Sequence, residues 1–202
     1  MAEWINGLRV ERELVGSSVV LRVAEDGDAP GMCAAGDAEA FELMASRPDA
    51  WTDEGCLEHL RRMRAEGVYY SVFDRGTMEL IGGTSYADVR TAHRGLEIGR
   101  TWLARSARGT RVNPEMKLLL LRQVFETPIF EAGPGVRVML KTHHLNERSQ
   151  RAIAGIGATL EGTMRNHMIM PDGSMRHTVM YSVTDGDWPL VRSGLQSRLA
   201  RG

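Results

Sequence analysis

The stretch WLARSARGTRVNPEMKLLLL, Trp102 to Leu121, passes from a strand through a basic, glycine-containing loop directly into a helix. Met116, Leu118 to Leu121, Val124 and Phe125 supply a wide apolar face, Pro114 fits a first helical turn, and Glu115 complements the dipole there. A helix is therefore expected over Pro114–Glu126. The first N–H groups of a helix lack internal partners and carry partial positive charge. Gly109 would let a ligand approach the backbone closely, and the flanking arginines Arg108 and Arg111 would add charge to a diphosphate site. A solvated basic loop ahead of an ordinary core helix carries the same pattern, and this segment alone does not separate the two.

Upstream, Gly95 to Leu103 (GLEIGRTWL) reads as a strand with Leu96, Ile98 and Trp102 on one face and Glu97, Gly99 and Thr101 on the other. Val68–Asp74 and Glu79–Asp88 are strand-like and joined by a tight turn at Arg75-Gly76-Thr77. Further back lie a strand over Ser18–Ala24, a helix through Met32 and Ala35 capped by Asp26 or Asp28, and a helix begun at Thr52-Asp53-Glu54 and closed by Gly67. Downstream, Val136–Thr142 is a strand and Asn146 is a plausible N-cap for the helix that follows. Gly162–Met170 and Met175–Val183 form a hairpin about an Asp172-Gly173 turn, and a helix over Trp188–Leu199 closes the chain. The order predicts an α/β (α+β) fold: one mixed, mostly antiparallel sheet of about seven strands with helices on both faces. A single domain is expected over 1–202, with its core over about 18–183 and the terminal helix over about 187–199.

The chain has 202 residues, 43% hydrophobic and 25% charged, with a formal net charge of −1. That balance argues against a nucleic-acid partner held by a broad basic surface. No apolar run approaches the roughly 18–20 residues of a membrane span, and the opening MAEWINGLRVERELVG lacks a signal-type apolar block. Cys33 and Cys56 sit in neither a CxxC pair nor a zinc spacing, so no metal site is expected and a reducing cytoplasm is the natural setting.

A second segment, Lys141 to Gly162 (KTHHLNERSQRAIAGIGATLEG), supplies the context. Four features stand in order: Glu97-Ile98-Gly99, the Arg108–Arg111 loop, Asn146-x-x-Ser149 with Gly157-Ala158 and Glu161-Gly162, and the hairpin Asp172–Arg176 leading to Val179–Ser182. Together they resemble the GNAT acetyltransferase superfamily, in particular its branch of ribosomal-protein N-terminal acetyltransferases, over about Ser18 to Val183. The resemblance implies a GNAT fold with splayed central strands and an acetyl-CoA-dependent N-acetyltransferase. It implies that the loop at Arg108, Gly109, Thr110 and Arg111, with the helix start near Asn113, wraps the CoA pyrophosphate. The backbone at Trp102 and Leu103 would pair with the pantetheine arm, Asn146 would contact that arm, and Ser149 would lie near the sulfur. The loop departs from the family's Gln/Arg-x-x-Gly-x-Gly/Ala pattern at Ser106 and Arg111.

Direct attack of an amine on the thioester needs a base, because a free alkylamine is largely protonated at neutral pH. Glu97 is the candidate base, or else a structural carboxylate pairing Arg100 or Arg137. Ser149 is the candidate proton donor to the thiolate, or else a serine bonded within its own helical turn. His143 and His144 follow a strand end beside the site and have a pKa suited to a base, although such a pair is more often a solvated turn. His167 and His177 are expected as exposed strand histidines. Met164, Met168, Met170, Met175 and Met180 read as core or as an oligomer contact, and Met168 stands where the related ribosomal-protein enzymes carry a carboxylate. The resemblance implies as acceptor a primary amine of a small molecule or a protein N-terminus. The competing reading is a non-catalytic CoA-binding or dimeric module; a homodimer is compatible with either.

Overall fold

The computed structural model describes residues 2–201. The chain opens with a hairpin of β1 (Ala2–Ile5) and β2 (Leu8–Glu11), turned by Asn6 and Gly7, both at positive φ. Two positive φ values in a two-residue loop match the right-handed twist of the flanking strands. The sequence reading places the core no earlier than about Ser18. In fact Leu8 and Val10 are fully buried within the main apolar cluster, so the core begins ten residues sooner. The Asn-Gly pair and the apolar–charged alternation of Leu8-Arg9-Val10-Glu11 are the signals for this hairpin.

Next come β3 (Glu13–Val15), β4 (Val19–Val23), α1 (Ala29–Ala35), the short α2 (Ala38–Phe41) and α3 (Asp53–Ala65). Thr52 caps α3 by accepting from the Gly55 amide, as its position predicts. Asp28 does not cap α1; its carboxylate closes a capping box with Glu25 in the 3-10 turn ahead of that helix and faces inward to Arg22 and Ser71. Gly67 does follow α3, but for a different reason than a left-handed cap. A Cβ there would sit 2.1 Å from the Tyr86 carbonyl oxygen, so the requirement is close backbone approach.

β5 (Val68–Asp74), β6 (Leu80–Arg90), β7 (Gly95–Leu103), α4 (Val112–Glu126), β8 (Arg137–His143), α5 (Glu147–Ala154), β9 (Thr159–Ile169), β10 (Met175–Thr184) and α6 (Trp188–Arg201) complete the chain. The main sheet holds eight strands in the order β3-β4-β5-β6-β7-β8-β10-β9, against the expected seven or so. Every pairing is antiparallel except β7 with β8. One face carries α4 and α6 over a core that includes Tyr70, Tyr86, Leu96, Ile98, Met116, Leu120, Leu140 and Leu195. The opposite face carries α1 and α3, with Met32, Phe41, Cys56 and Trp102 forming a second cluster.

Trp102 thus lies on the face opposite Leu96 and Ile98, not beside them as simple alternation requires. The reason is an irregularity in the β6–β7 register between Gly83 and Ser85, where Arg100 adopts a positive φ. One extra residue in a strand reverses the facing of everything after it. Thr101 is turned toward α4 and hydrogen-bonds Lys117, while Trp102 donates to the Tyr69 hydroxyl on the other side.

Candidate active site

β7 and β8 pair in parallel only at Gly95–Arg137, Leu96–Val138 and Glu97–Met139. Beyond that point residues 98–103 and 140–143 run on without pairing to each other. β6 holds one bank of the opening and β10 the other. The β7 bank alone offers roughly 20 Å of strand edge at 3.3 Å per residue. The bulge at Arg100 bends the strand at this divergence.

The β7 bank leads into the loop before α4. Gly109 has φ +76°, and a Cβ built on it meets nothing within 4 Å. Among the described residues, the amides of Gly109, Thr110 and Arg111 donate no hydrogen bond. Open amides at the N-terminus of a 15-residue helix form a concavity suited to an anion. The side chains behave differently from the amides. Arg108 turns away from the opening: its Nε donates to the Leu103 carbonyl and its guanidinium grips Asp37. Thr110 Oγ1 donates to the Ala107 carbonyl and accepts from the Val112 amide, bracing the loop. Arg111 reaches Ser17 Oγ at 3.2 Å. Asn113 lies in the first turn of α4. Glu115, expected to complement the dipole, is clamped by the amides and hydroxyls of Ser17 and Ser18. Those bonds outweigh the effect of burial and hold its carboxyl below the usual range.

The β8 bank leads into α5. Asn146 caps this helix, its Oδ1 accepting from the Ser149 amide at 2.9 Å. Ser149 is half-buried, and its hydroxyl makes no hydrogen bond among the described residues. Glu39 of α2 bridges the two banks, pairing with Arg105 and Arg108 on one side and Arg148 of α5 on the other. Sequence reasoning missed Asp37 and Glu39, because nothing in a short acidic stretch announces partners more than 60 residues away.

Glu97 is buried where the strands part. Its partner is Lys141 of β8, Nζ to Oε2 2.7 Å, rather than either arginine considered from the sequence. Arg100 pairs with Glu66, and Arg137 with Glu161. Two further cations lie within the field of Glu97. Lys117 is buried on α4 with its Nζ 2.8 Å from Thr101 Oγ1, and burial pulls its ammonium down to about 7 despite the attraction of Glu97. Arg176 of β10 is buried too, and desolvation lowers its pKa against that same attraction. Neither was legible as a site residue, since each is brought to the opening by tertiary packing alone.

His143, the last residue of β8, is buried, and its ring stacks on His144 at 4.5 Å; His144 in turn lies 4.5 Å from His177. Burial, followed by the charges of His144, Arg176 and His177, lowers the His143 pKa, and its Nδ1 accepts from the Leu145 amide. His167 and His177 are half-buried rather than exposed. His167 Nδ1 lies 2.9 Å from Thr178 Oγ1, and His177 Nδ1 accepts from the Asn166 amide. Of the hairpin methionines Met170 is buried, whereas Met164 and Met175 are exposed. Among the described residues no group of three His, Cys, Asp or Glu side chains is placed to hold a metal, and no helix is long and apolar enough to cross a membrane.

Parted parallel strands, a bulged β7 and open amides at the start of α4 form one continuous path across the sheet edge. The family described as acetyltransferase (GNAT) domain matches residues 18–159. A T. thermophilus protein assigned as an acetyltransferase is 32% identical, with a TM-score of 0.86 over 98% of this chain and 100% of that one. The ribosomal-protein-S5-alanine acetyltransferase of Vibrio fischeri superposes with a TM-score of 0.68 at 18% identity, over 88% of this chain and 99% of that one. The microcin C7 self-immunity acetyltransferase MccE, solved with acetyl-CoA and AMP, gives 0.72 at 15% identity, over 84% and 93% of the two chains. No protein of curated function matches the sequence. The chain belongs to the GNAT acetyltransferases.

Proposed function

We propose that the protein transfers the acetyl group of acetyl-CoA to a primary amine by direct attack. The observation that carries this reading is the continuous path from the parted edge of β7 to the unbonded amides of Gly109, Thr110 and Arg111. Acetyl-CoA is an extended thioester ending in a diphosphate, and its two ends fit the two ends of that path. The backbone at Trp102 and Leu103 would face the arm; the Trp102 side chain is occupied elsewhere, in the cluster with Phe41. The amides of the Arg108–Arg111 loop and the start of α4 near Asn113 would hold the diphosphate. Arg111, which is exposed and held only by neutral partners, Ser17 Oγ and the Leu199 carbonyl, is the arginine that can turn toward it, because Arg108 is committed to Asp37.

In the transfer, the amine nitrogen forms a bond to the acetyl carbon as the carbon–sulfur bond breaks. The amine loses a proton and the departing thiolate gains one. Glu97, at the point of divergence, is assigned to the amine side, acting with Lys141. Ser149, with its unengaged hydroxyl at the start of α5, is assigned to the sulfur. Asn146 serves that arrangement by capping α5 and fixing Ser149.

The test is thiol release from acetyl-CoA over a panel of amines and peptide N-termini, with the N-acetyl product identified by mass. Amine-dependent release is expected. Saturable acetyl-CoA binding with no release on any amine would replace this reading with a CoA-binding module. Two free cysteines fit a reducing cytoplasm, and the exposed Leu160, Met164 and Ile169 on edge strand β9 fit a homodimer contact.

A further inference from the structure

Arg176 is 6% exposed, yet it makes no ion pair among the described residues. Its one hydrogen bond among the described residues runs from Nε to Thr178 Oγ1 at 3.1 Å. Thr178, fully buried, thereby accepts from Arg176 and can donate to His167 Nδ1. This arrangement fixes the plane of the guanidinium and leaves its two terminal nitrogens unbonded. Neither nitrogen is sealed from solvent, so both remain open to a hydrogen-bond acceptor from outside the fold.

A buried guanidinium without a carboxylate partner is costly, and the cost is recovered when a ligand supplies the anion. The surroundings lead to the same conclusion. Thr178 lies directly across the strand pair from His143, and Met180 across from Lys141, which puts Arg176 on the hairpin beside the parting of β7 and β8. Lys141 is neutralised by Glu97, while Arg176 forms no ion pair of its own among the described residues. The acceptor side of the site therefore carries the positive charge of Arg176. A polyamine or a bare alkylammonium is a poor match for that field, whereas a molecule bearing both an amine and an anion suits it.

We propose that Arg176 is the receptor for a carboxylate on the acceptor, so that the preferred substrate is an amine that also carries a carboxylate, as an amino acid does. The proposal deepens the acetyl-transfer reading and rests on it. The amine is directed to Glu97, and the carboxylate meets the terminal nitrogens of Arg176 as a planar pair of hydrogen bonds. The charge of Arg176 reaches His143, and together with burial it lowers the His143 pKa, which favours a neutral ring beside this contact. Thr178 and His167 position the guanidinium without touching the substrate.

The test separates this proposal from the reading beneath it. Titration calorimetry with CoA already bound compares N-acetyl amino acids with their carboxamides, which differ only in charge at one group. The parent protein is expected to bind the carboxylate about tenfold or more tighter than the carboxamide, the range of a hydrogen-bonded charged pair. Arg176→Gln should bring that ratio to about one, and Arg176→Lys, which keeps the charge but loses the fork, should leave an intermediate ratio. Circular dichroism and CoA affinity report whether each variant is folded. Equal affinity for carboxylate and carboxamide in the parent would overturn the proposal. So would an unchanged ratio in Arg176→Gln, or a preference confined to phosphoethanolamine-type ligands. Failure of CoA itself to bind would instead remove the acetyl-transfer reading.

Discussion

Lys117 gives the sharpest quantitative test of how the site is built. Its ammonium is buried on α4, donates to Thr101 Oγ1, and is pulled down to about 7 by loss of hydration, partly offset by Glu97. In the unfolded chain a lysine titrates near 10.4. Between about pH 7 and pH 10.4 the unfolded state therefore binds more protons than the folded one, and stability rises with pH across that window. At 1.36 kcal/mol per pH unit, the gap of about 3.4 costs the folded state roughly 4–5 kcal/mol at pH 7 and about 2 kcal/mol at pH 9. Lys117→Met keeps the length and apolar stem and removes the charge, and losing the bond to Thr101 costs about 1 kcal/mol. The variant should then exceed the parent by about 3 kcal/mol at pH 7 and by about 1 kcal/mol at pH 9. Urea unfolding at both pH values measures the difference, provided the m-value is unchanged. A stability gain that is the same at pH 7 and pH 9, or a loss at pH 7, would refute the reasoning. It would mean that Lys117 keeps an ordinary pKa through water or a direct pairing with Glu97.

Two substitutions test the assigned roles within the site. Ser149→Ala should lower turnover tenfold or more, an order-of-magnitude figure for a lost proton donor, and leave acetyl-CoA affinity within about threefold; unaffected turnover would reduce Ser149 to a residue of the α5 first turn. Glu97→Gln should lower turnover by about 100-fold or more with acetyl-CoA still bound. A fall of less than about threefold, with reduced thermal stability, would make the Glu97–Lys141 pair structural.

The parts of this molecule legible in the sequence were those written in local periodicity. The α4 face, the Asn146 cap and the Asp172-Gly173 hairpin all follow from residues within a few positions of one another, and the structure realises each of them. The N-terminal hairpin had local signals too, in Asn6-Gly7 and in the alternation of Leu8 and Val10 with Arg9 and Glu11, but its strands are only four residues long and stand outside the main sheet. The register irregularity at Arg100 was not legible. No residue type demands a bulge there, yet it decides which face Thr101 and Trp102 occupy. The electrostatics of the site were hidden for a related reason. Lys117, Lys141 and Arg176 come from a helix and two strands, and only the packed sheet brings all three to act on Glu97. Arg108 shows the converse: beside Gly109 in sequence its charge reads as turned to a phosphate, while in space its guanidinium pairs with Asp37.

The central claim is that the parted strands and the open amides before α4 hold acetyl-CoA. Titration calorimetry of acetyl-CoA into the purified protein tests it most directly, with Gly109→Glu as the comparison. The substitution places a carboxylate in open space where the diphosphate would lie, and its strain at positive φ is roughly 1–2 kcal/mol, so the variant should remain folded. The account predicts saturable one-site binding in the micromolar range by the parent and no detectable binding by the variant. No saturable binding by the parent, or equal affinity in Gly109→Glu, would contradict it.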